Sequence, residues 1–277
     1  MTSPRIGVVI VAYNASPQAA VLAQSLAGQG VDPHDVVIVN NGEQPDRQAT
    51  AEKLWSEGTW LHLPNPGYGG AVNAAVATLP EGVDVVAMLA DDVTLSPGLL
   101  PALAAELDDP QVALVGPALF DSRDGSLWSH GGTMADRGNN PHHLRPERDY
   151  PGPPLWLDAA VAVMRRTDFR ALGGFDEAWF HYYQDVDFGL RVIRDLHKRI
   201  VVRTDLSATK VPNEDLTPYI DTSGRLRLQR KHQQWTAVLL LLADTFVRTV
   251  VGCLKSPGQA KEKLRERATA VRDGLFR

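Results

Sequence analysis

Residues 6–12, IGVVIVA, and residues 36–39, VVIV, are β-branched apolar runs without polar alternation, and between them residues 17–27 repeat Ala and Leu at helical spacing. A strand that is apolar on every residue is covered on both faces, which is the environment of a parallel strand whose crossover helices lie above and below the sheet. Outward from this unit the pattern repeats. Residues 60–63 read as a third strand, 71–79 as a helix, and 83–89 as a fourth strand that runs into Asp91 and Asp92. The order βαβαβαβ predicts an α/β fold: a doubly wound, mainly parallel sheet with flanking helices.

Such sheets bind ligands beyond the carboxyl ends of their strands. The polar residues that follow each apolar run are therefore the site candidates: Tyr13, Asn14, Asn40, Asn41, Asn65, Asp91 and Asp92. A helix over 97–107 and a strand over 112–115 come next, and then residues 121–154 turn rich in Gly, Pro, Asn and His, a long excursion of the kind that carries function. Residues 155–165 are strand-like, 180–194 helical, 199–202 a short strand, and the chain from 225 onward is helical with a break at Ser256, Pro257 and Gly258. No internal repeat or low-complexity tract is present.

The chain has 277 residues, enough for one α/β catalytic core with a tail. A net charge of −5 gives no global reason to expect nucleic acid as a partner. The single cysteine, Cys253, precludes an intramolecular disulfide and a cysteine-rich zinc site, and is read as a buried thiol of a cytoplasmic chain. Asp244 and Arg248 interrupt the apolar stretch 235–254, which argues against a spanning helix and leaves one that lies on a membrane surface. Before it, Arg225, Arg227, Arg230, Lys231 and His232 form a basic run suited to anionic lipid or a lipid-diphosphate, with an ordinary solvated helix face as the alternative.

Three segments carry chemistry. In residues 65–76, NPGYGGAVNAAV, glycines between a strand and a helix let the backbone approach a phosphate or base at the helix N-terminus; the spacing is neither that of a Walker loop nor of a dinucleotide fingerprint. In VVAMLADDVTL, paired carboxylates end a buried strand, where hard oxygen ligands suit Mg²⁺ or Mn²⁺ on a diphosphate and the alternative is a turn cap. In residues 172–192, LGGFDEAWFHYYQDVDFGLRV, Asp185 and Asp187 stand among aromatics at a helix start. They are either a plain cap or, in a partly apolar pocket, a base able to take a proton from an attacking alcohol. His142 and His143, in tandem without a third ligand, are read as solvent-facing.

Taken together, VVIVAYN, VIVNNG, NPGYGGAVNAAV, MLADDV, WLDAAVAVMRR and GGFDEAWFHYYQDVDFGLRV resemble, in order and spacing over about residues 5–205, family 2 glycosyltransferases of the bacterial rhamnosyltransferase-like branch. The resemblance implies a GT-A fold, a nucleotide-sugar donor, a divalent cation and inversion at the anomeric carbon. It implies that Ala12, Tyr13, Asn14 and Asn40, which stands where the family has Asp, contact base and ribose together with Asn41. Asn65, Gly70 and Asn73 match a second nucleotide motif, with Asp91 beside them; Asp92 matches the metal carboxylate and Asp185 the base. Trp156, Asp158, Trp179, His181, Tyr182 and Gln184 would shape the donor-sugar and acceptor cleft.

Three positions depart from that pattern. Ala90 stands where Asp or Asn is usual, Gln184 stands where an acid precedes the base, and Lys210 occupies the place of a late His. Lys210 would supply a fixed cation to the diphosphate and weaken metal dependence. The expected organisation is a catalytic domain over 1–215, its nucleotide-binding half about 1–120, and a helical tail over 216–277. The expected reaction moves rhamnose or another deoxyhexose from a dTDP- or UDP-linked donor to a cell-envelope saccharide or polyprenyl-linked acceptor at the inner face of the cell membrane. A degenerate binding or scaffold subunit and a sugar nucleotidyltransferase are the competing readings; the latter wants a Gly-rich loop and a basic residue after the first strand, where this chain has Tyr13-Asn14-Ala15-Ser16.

Overall fold

The computed structural model describes residues 4–13, 16–42, 52–134, 140–144, 152–212 and 216–276. These divide into two compact units, Met1–Thr133 with His143–Pro212, and Met134–His142 with Asn213–Arg277.

In the first unit, strand β1 (Ile6–Ala12), helix α1 (Ala19–Ala27) and strand β2 (Val36–Asn40) form the expected crossover, followed by β3 (Thr59–His62), α2 (Gly67–Thr78) and β4 (Val85–Ala90). These strands lie in the order β3-β2-β1-β4, all parallel. The apolar character of every β1 residue has a direct explanation. Val8 and Ile10 face a core built with Leu22 of α1 and Leu99 to Leu103, while Val9 and Val11 face a second core with Ala71 and Val72 of α2. Alternate side chains of one strand thus fill two separate interiors.

Beyond β4 the sheet becomes mixed. The chain continues through β5 (Val93–Leu95), α3 (Leu99–Ala105), β6 (Val112–Asp121), β7 (Leu127–Ser129), β8 (Gly132–Met134), β9 (Pro141–His143), β10 (Val161–Arg165), α4 (Arg166–Ala171), α5 (Gln184–Leu196) and β11 (Arg199–Lys210), with β8 and β9 outside this sheet. β10 inserts antiparallel between β4 and β6, β11 runs parallel to β6, and β5 pairs antiparallel with β11 at the edge. Two strands are longer than their apolar patterns predict: β6 reaches Asp121 and β11 reaches Lys210. The reason is pairing rather than burial, because the polar second half of β11 is held between β6 and β5 after a register shift between Arg203 and Ser207. The helix expected from residue 71 begins at Gly67, since its glycines are helical rather than a loop.

Close approach fixes α5. An added Cβ at Gly189 would lie 2.6 Å from the carbonyl oxygen of Leu155 and from Cα of Trp156, so the helix seats directly on the segment that carries Trp156 and Asp158. Asp187 and Arg191, one turn apart, pair at 3.0 Å inside the protein, and Arg191 also donates to the carbonyls of Leu172 and Gly174. Asp187 is thereby committed to holding the helix, which separates its role from that of Asp185.

The second unit holds α6 (Pro218–Lys231), α7 (Trp235–Lys255) and α8 (Ala260–Phe276), with a 3₁₀ turn over Pro257–Gln259 at the expected break. Leu226, Val238 and Leu241 form its small core. By length and composition α7 is long and apolar enough to cross a membrane. The two charges that interrupt it, Asp244 and Arg248, pair with each other at 2.7 Å. Cys253 is half-buried rather than fully enclosed, its Sγ 3.6 Å from the carbonyl oxygen of Ala260.

Gly189→Ala is expected to cost about 1–3 kcal/mol in urea unfolding, because the contacting atoms are backbone and cannot swing away. Gly28→Ala, whose Cβ would meet nothing nearer than 3.7 Å, is the neutral control.

Candidate active site

Sheet register brings the site together. Lys210 pairs with Val93, which places it beside Asp92, and Val161 pairs with Leu89, which places the preceding residues of β10 over the carboxyl end of β4. The backbone N–H of Ala90 donates to the carbonyl of Ala160 at 3.0 Å, and that of Val211 to the carbonyl of Asp92 at 3.4 Å. Asp92, Asp158 and Lys210 therefore share the end of the sheet although they lie far apart in the chain.

Asp158 is the most densely partnered of the three. Its Oδ2 accepts from Nε1 of Trp128 at 2.9 Å and pairs with Nζ of Lys210 at 3.3 Å, and its Oδ1 accepts from the N–H of Ala160 at 2.9 Å. Burial alone would raise its pKa, but the Lys210 ammonium, His143 and these hydrogen bonds hold it below the usual carboxylate range. The Lys210 ammonium, buried, also lies 5.2 Å from the ring centroid of Trp128, within the range of a cation–π contact.

Asp92 and Asp185 both shift in the direction opposite to Asp158. Burial raises Asp92, with Lys210 opposing and Asp158 adding to the shift. Burial, reinforced by the Asp158 charge, pushes Asp185 up to about 7, with Lys210 and the N–H of Val186, 2.8 Å from its Oδ1, pulling the other way. The phenol of Tyr68 donates to the carbonyl of Ala159 at 2.6 Å, and burial followed by the fields of Asp158, Asp185 and Asp92 raises it well above the ordinary range. The charges of Asp158, Asp185 and Asp92 thus all bear on the one Tyr68 hydroxyl.

The backbone before α5 is strained. Tyr182 and Tyr183 have φ of 64° and 65°, a left-handed conformation that costs a non-glycine residue on the order of 1 kcal/mol or more and clusters at functional sites. Tyr183 is the N-cap of α5, so this bend sets where Gln184 and Asp185 enter. Gln184 is buried with its Oε1 unpartnered, Trp179 is buried, and the rings of His181 and Tyr182 meet at a tilt with centroids 4.1 Å apart. Trp156 donates to the carbonyl of Thr133 at 3.3 Å.

The expected nucleotide residues divide. Ala12 ends β1, Tyr13 beyond it is exposed, and Asn14 lies outside the described residues. Asn40 caps its own turn by accepting from the N–H of Gly42 at 3.0 Å, and Asn41 keeps a buried Oδ1 without a partner. Asn65 accepts from the N–H of Gly67 at 3.2 Å, and an added Cβ at Gly70 would crowd Pro66. Two expectations need correcting. Asn73 is spent on structure, exchanging hydrogen bonds with Phe175 at 2.8 and 2.9 Å, and Asp91 accepts from the N–H of Ser16 at 2.6 Å, where burial raises it to about 7. Asn73 thereby ties α2 to the segment before α5, and Asp91 ties the end of β4 to Ser16.

A third correction concerns the histidines. His143 is half-buried, its ring 5.4 Å from Trp128 and 5.0 Å from Trp156, with Nδ1 2.8 Å from Oγ of Ser129. Sequence reasoning placed His143 in solvent and missed Trp128 and Tyr68. Only Tyr68 left a signal, as an aromatic inside a glycine-rich turn.

Among the described residues no group of three or more His, Cys, Asp or Glu side chains is placed to hold a metal. Asp92 alone still fits one. Mg²⁺ commonly binds through one or two carboxylates with the remaining positions filled by substrate phosphates and water, and Asp92 makes no ion pair among the described residues.

This mixed sheet, with carboxylates and a cation at its strand ends, is the GT-A fold. Residues 7–173 match the family model of glycosyl transferase family 2, and the chain belongs to that family of glycosyltransferases. It is 32% identical over 213 residues to the N-acetylglucosaminyl-diphospho-decaprenol L-rhamnosyltransferase of Mycobacterium tuberculosis, covering 67% of this chain and 69% of that protein. Its fold matches that of GalNAc-T7, solved with UDP, GalNAc and Mn²⁺ (TM-score 0.64, 11% identity, 83% of this chain but 48% of that one). It also matches the mannosyltransferase PcManGT of Pyrobaculum calidifontis, solved with GDP-Man and Mn²⁺ (TM-score 0.59, 15% identity, 100% of this chain and 85% of that one).

A carboxyl whose pKa is raised on folding stabilises the protein below its unfolded pKa and loses that contribution as pH climbs through the folded value. Replacing Asp185 by Asn removes this loss. The stability gained by Asp185→Asn over wild type should be about 2–3 kcal/mol larger at pH 8 than at pH 5 in denaturant titrations, with other groups cancelling. A pH-independent difference would contradict the raised pKa.

Proposed function

We propose that the chain transfers a sugar, rhamnose or another deoxyhexose, from a dTDP- or UDP-linked donor to a cell-envelope saccharide or polyprenyl-linked acceptor, with inversion. One observation carries this reading: a carboxylate poised near neutrality, Asp185, and a second carboxylate, Asp92, which makes no ion pair among the described residues, both feel the buried ammonium of Lys210 and the charge of Asp158. The name of the mycobacterial relative supports both the deoxyhexose donor and the lipid-diphosphate acceptor.

In this mechanism the acceptor hydroxyl oxygen attacks the anomeric carbon from the side opposite the leaving diphosphate. Asp185 takes the hydroxyl proton, and a base with a pKa near 7 is half-ionised at neutral pH, close to the optimum for general catalysis. The bond from the anomeric carbon to the diphosphate oxygen breaks and its electron pair stays on the diphosphate. Lys210, fixed by Asp158 and Trp128, meets that developing charge without having to reorganise. Asp92 would hold a divalent cation, Mg²⁺ or Mn²⁺, which when bound supplies further charge neutralisation to the leaving group. Trp156, Trp179, His181, Tyr182 and Gln184 are assigned to the donor sugar and acceptor, and Ala12, Tyr13, Asn40, Asn41, Asn65 and Gly70 to the nucleotide, with Asn14 assigned there from sequence alone. Catalysis belongs to residues 1–215 and the helical tail 216–277 serves association with the inner face of the cell membrane.

Ala90 and Gln184, departing from the usual acids, favour a second reading in which the chain binds a donor without transferring it. Thermal-shift screening of nucleotide sugars followed by a transfer assay separates the two. With the stabilising donor, Asp185→Asn should lower transfer about 10²–10⁴-fold while donor affinity stays near wild type. Full turnover in that variant would remove the base assignment, and donor binding with no wild-type transfer would favour the second reading. Chelation should reduce transfer without abolishing it, since Lys210 remains; complete loss that Mn²⁺ or Mg²⁺ restores would show that Lys210 does not stand in for metal charge.

A further inference from the structure

Within the helical unit, α6, α7 and α8 enclose a cavity of about 240 Å³ whose wall carries Arg225, Arg248 and Arg267, one from each helix. This is below the ~300–1,000 Å³ of sites for drug-sized ligands and suits an anionic headgroup. Thr217, which caps the N-terminus of the 14-residue α6, and the hydroxyls of Thr222 and Thr245 complete the lining. The cations are not balanced. Asp221 faces Arg225 at 3.3 Å and Asp244 faces Arg248 at 2.7 Å, but among the described residues Arg267 pairs with no carboxylate and donates to the carbonyl of Pro218 and the hydroxyl of Thr222. The Nε–H of Arg225 is buried without an acceptor. Three guanidinium groups beside a helix N-terminus, with one charge and one buried donor in excess, are suited to phosphate oxygens.

The same helix presents lipid-like surface. Trp235, Leu239, Phe246, Val247, Val250 and Leu254 are all exposed and fall on one side of α7, away from Val238, Leu241 and Thr245, which face the unit's interior. Asp244 and Arg248 sit on the seam, since Leu240 and Val247 are one turn either side of Asp244 and Val251 is one turn beyond Arg248. Lys and Arg outnumber Asp and Glu over residues 216–276, although the whole chain carries a net charge of −5. A wide apolar stripe bordered by cations is the pattern of a helix lying in a lipid interface.

We infer that the helical unit is a docking site for a phosphorylated polyisoprenoid lipid: the phosphate or diphosphate sits among Arg225, Arg248 and Arg267, and the hydrocarbon lies along the exposed stripe of α7. This names the acceptor-recognition element of the proposed reaction and rests on that reading for its biological sense, but it is tested apart from it. The basic residues that matter are then Arg225 with two arginines from other helices, not the contiguous run that continues through Arg227, Arg230 and Lys231.

The test is co-sedimentation of the full chain with phosphatidylcholine vesicles, plain or doped with a polyprenyl phosphate, with inorganic pyrophosphate as competitor. Wild type should prefer doped vesicles and be displaced by pyrophosphate. Arg248→Gln and Arg267→Gln should each weaken that preference about tenfold, the worth of a charge-assisted hydrogen bond, with nucleotide-sugar thermal shifts unchanged. Phe246→Ser, at a position 70% exposed and so harmless to folding, should weaken vesicle binding while leaving pyrophosphate binding intact. Equal binding to plain and doped vesicles, wild-type binding by both arginine variants, or pyrophosphate binding with no affinity for doped vesicles would each overturn the inference. Failure to bind any nucleotide sugar would instead count against the transferase reading alone.

Discussion

A buried ammonium must be paired, and the way Lys210 is paired organises the catalytic unit. Its Nζ lies 3.3 Å from Asp158 and over the face of Trp128, which itself donates to Asp158. Removing either charge of such a pair leaves the other uncompensated in a poor solvent, so the arrangement holds together or fails together. With its charge offset by Lys210, Asp158 can stay ionised next to Asp92 and Asp185, and that ionised carboxylate helps raise both neighbours. Burial is the larger cause of both shifts, and the Asp158–Lys210 pair adjusts them from its two ends, the carboxylate raising and the ammonium lowering.

Much of this architecture was legible from residue pattern. β1 and β2 announced themselves because both faces are buried and every residue is apolar, and the carboxyl ends of β1, β2 and β4 pointed to one edge of the sheet. Asp185, Asp92 and Lys210 were selected from sequence, and the Lys210 charge bears on both carboxylates. The misses share a cause: they depend on contacts between distant segments. Asn73 and Asp91 look like ligand residues until Phe175 and Ser16 come to occupy them. His143 looks like a surface residue until Trp128 and Trp156 close around it. No periodicity encodes the antiparallel insertion of β10, and the polar half of β11 carries no apolar signal because edge pairing, not burial, holds it.

The helical unit illustrates the limit of linear reading in another way. A basic run in sequence suggested one cationic face, but a helix distributes neighbouring residues around its circumference. The grouping of Arg225, Arg248 and Arg267 arises only when three helices converge. Likewise, the charges that break the apolar stretch of α7 are a mutually neutralising pair at its border.

The irregular step between Arg203 and Ser207 in β11 has an evolutionary consequence. Side chains alternate along a strand, so gaining one residue upstream of Thr209 would invert the far end of β11 and bring Thr209 to the place that Lys210 holds. A change in chain length, rather than a point substitution, could then toggle a member of this lineage between a built-in cation and a hydroxyl at the same spot, leaving the rest of the sheet unaltered.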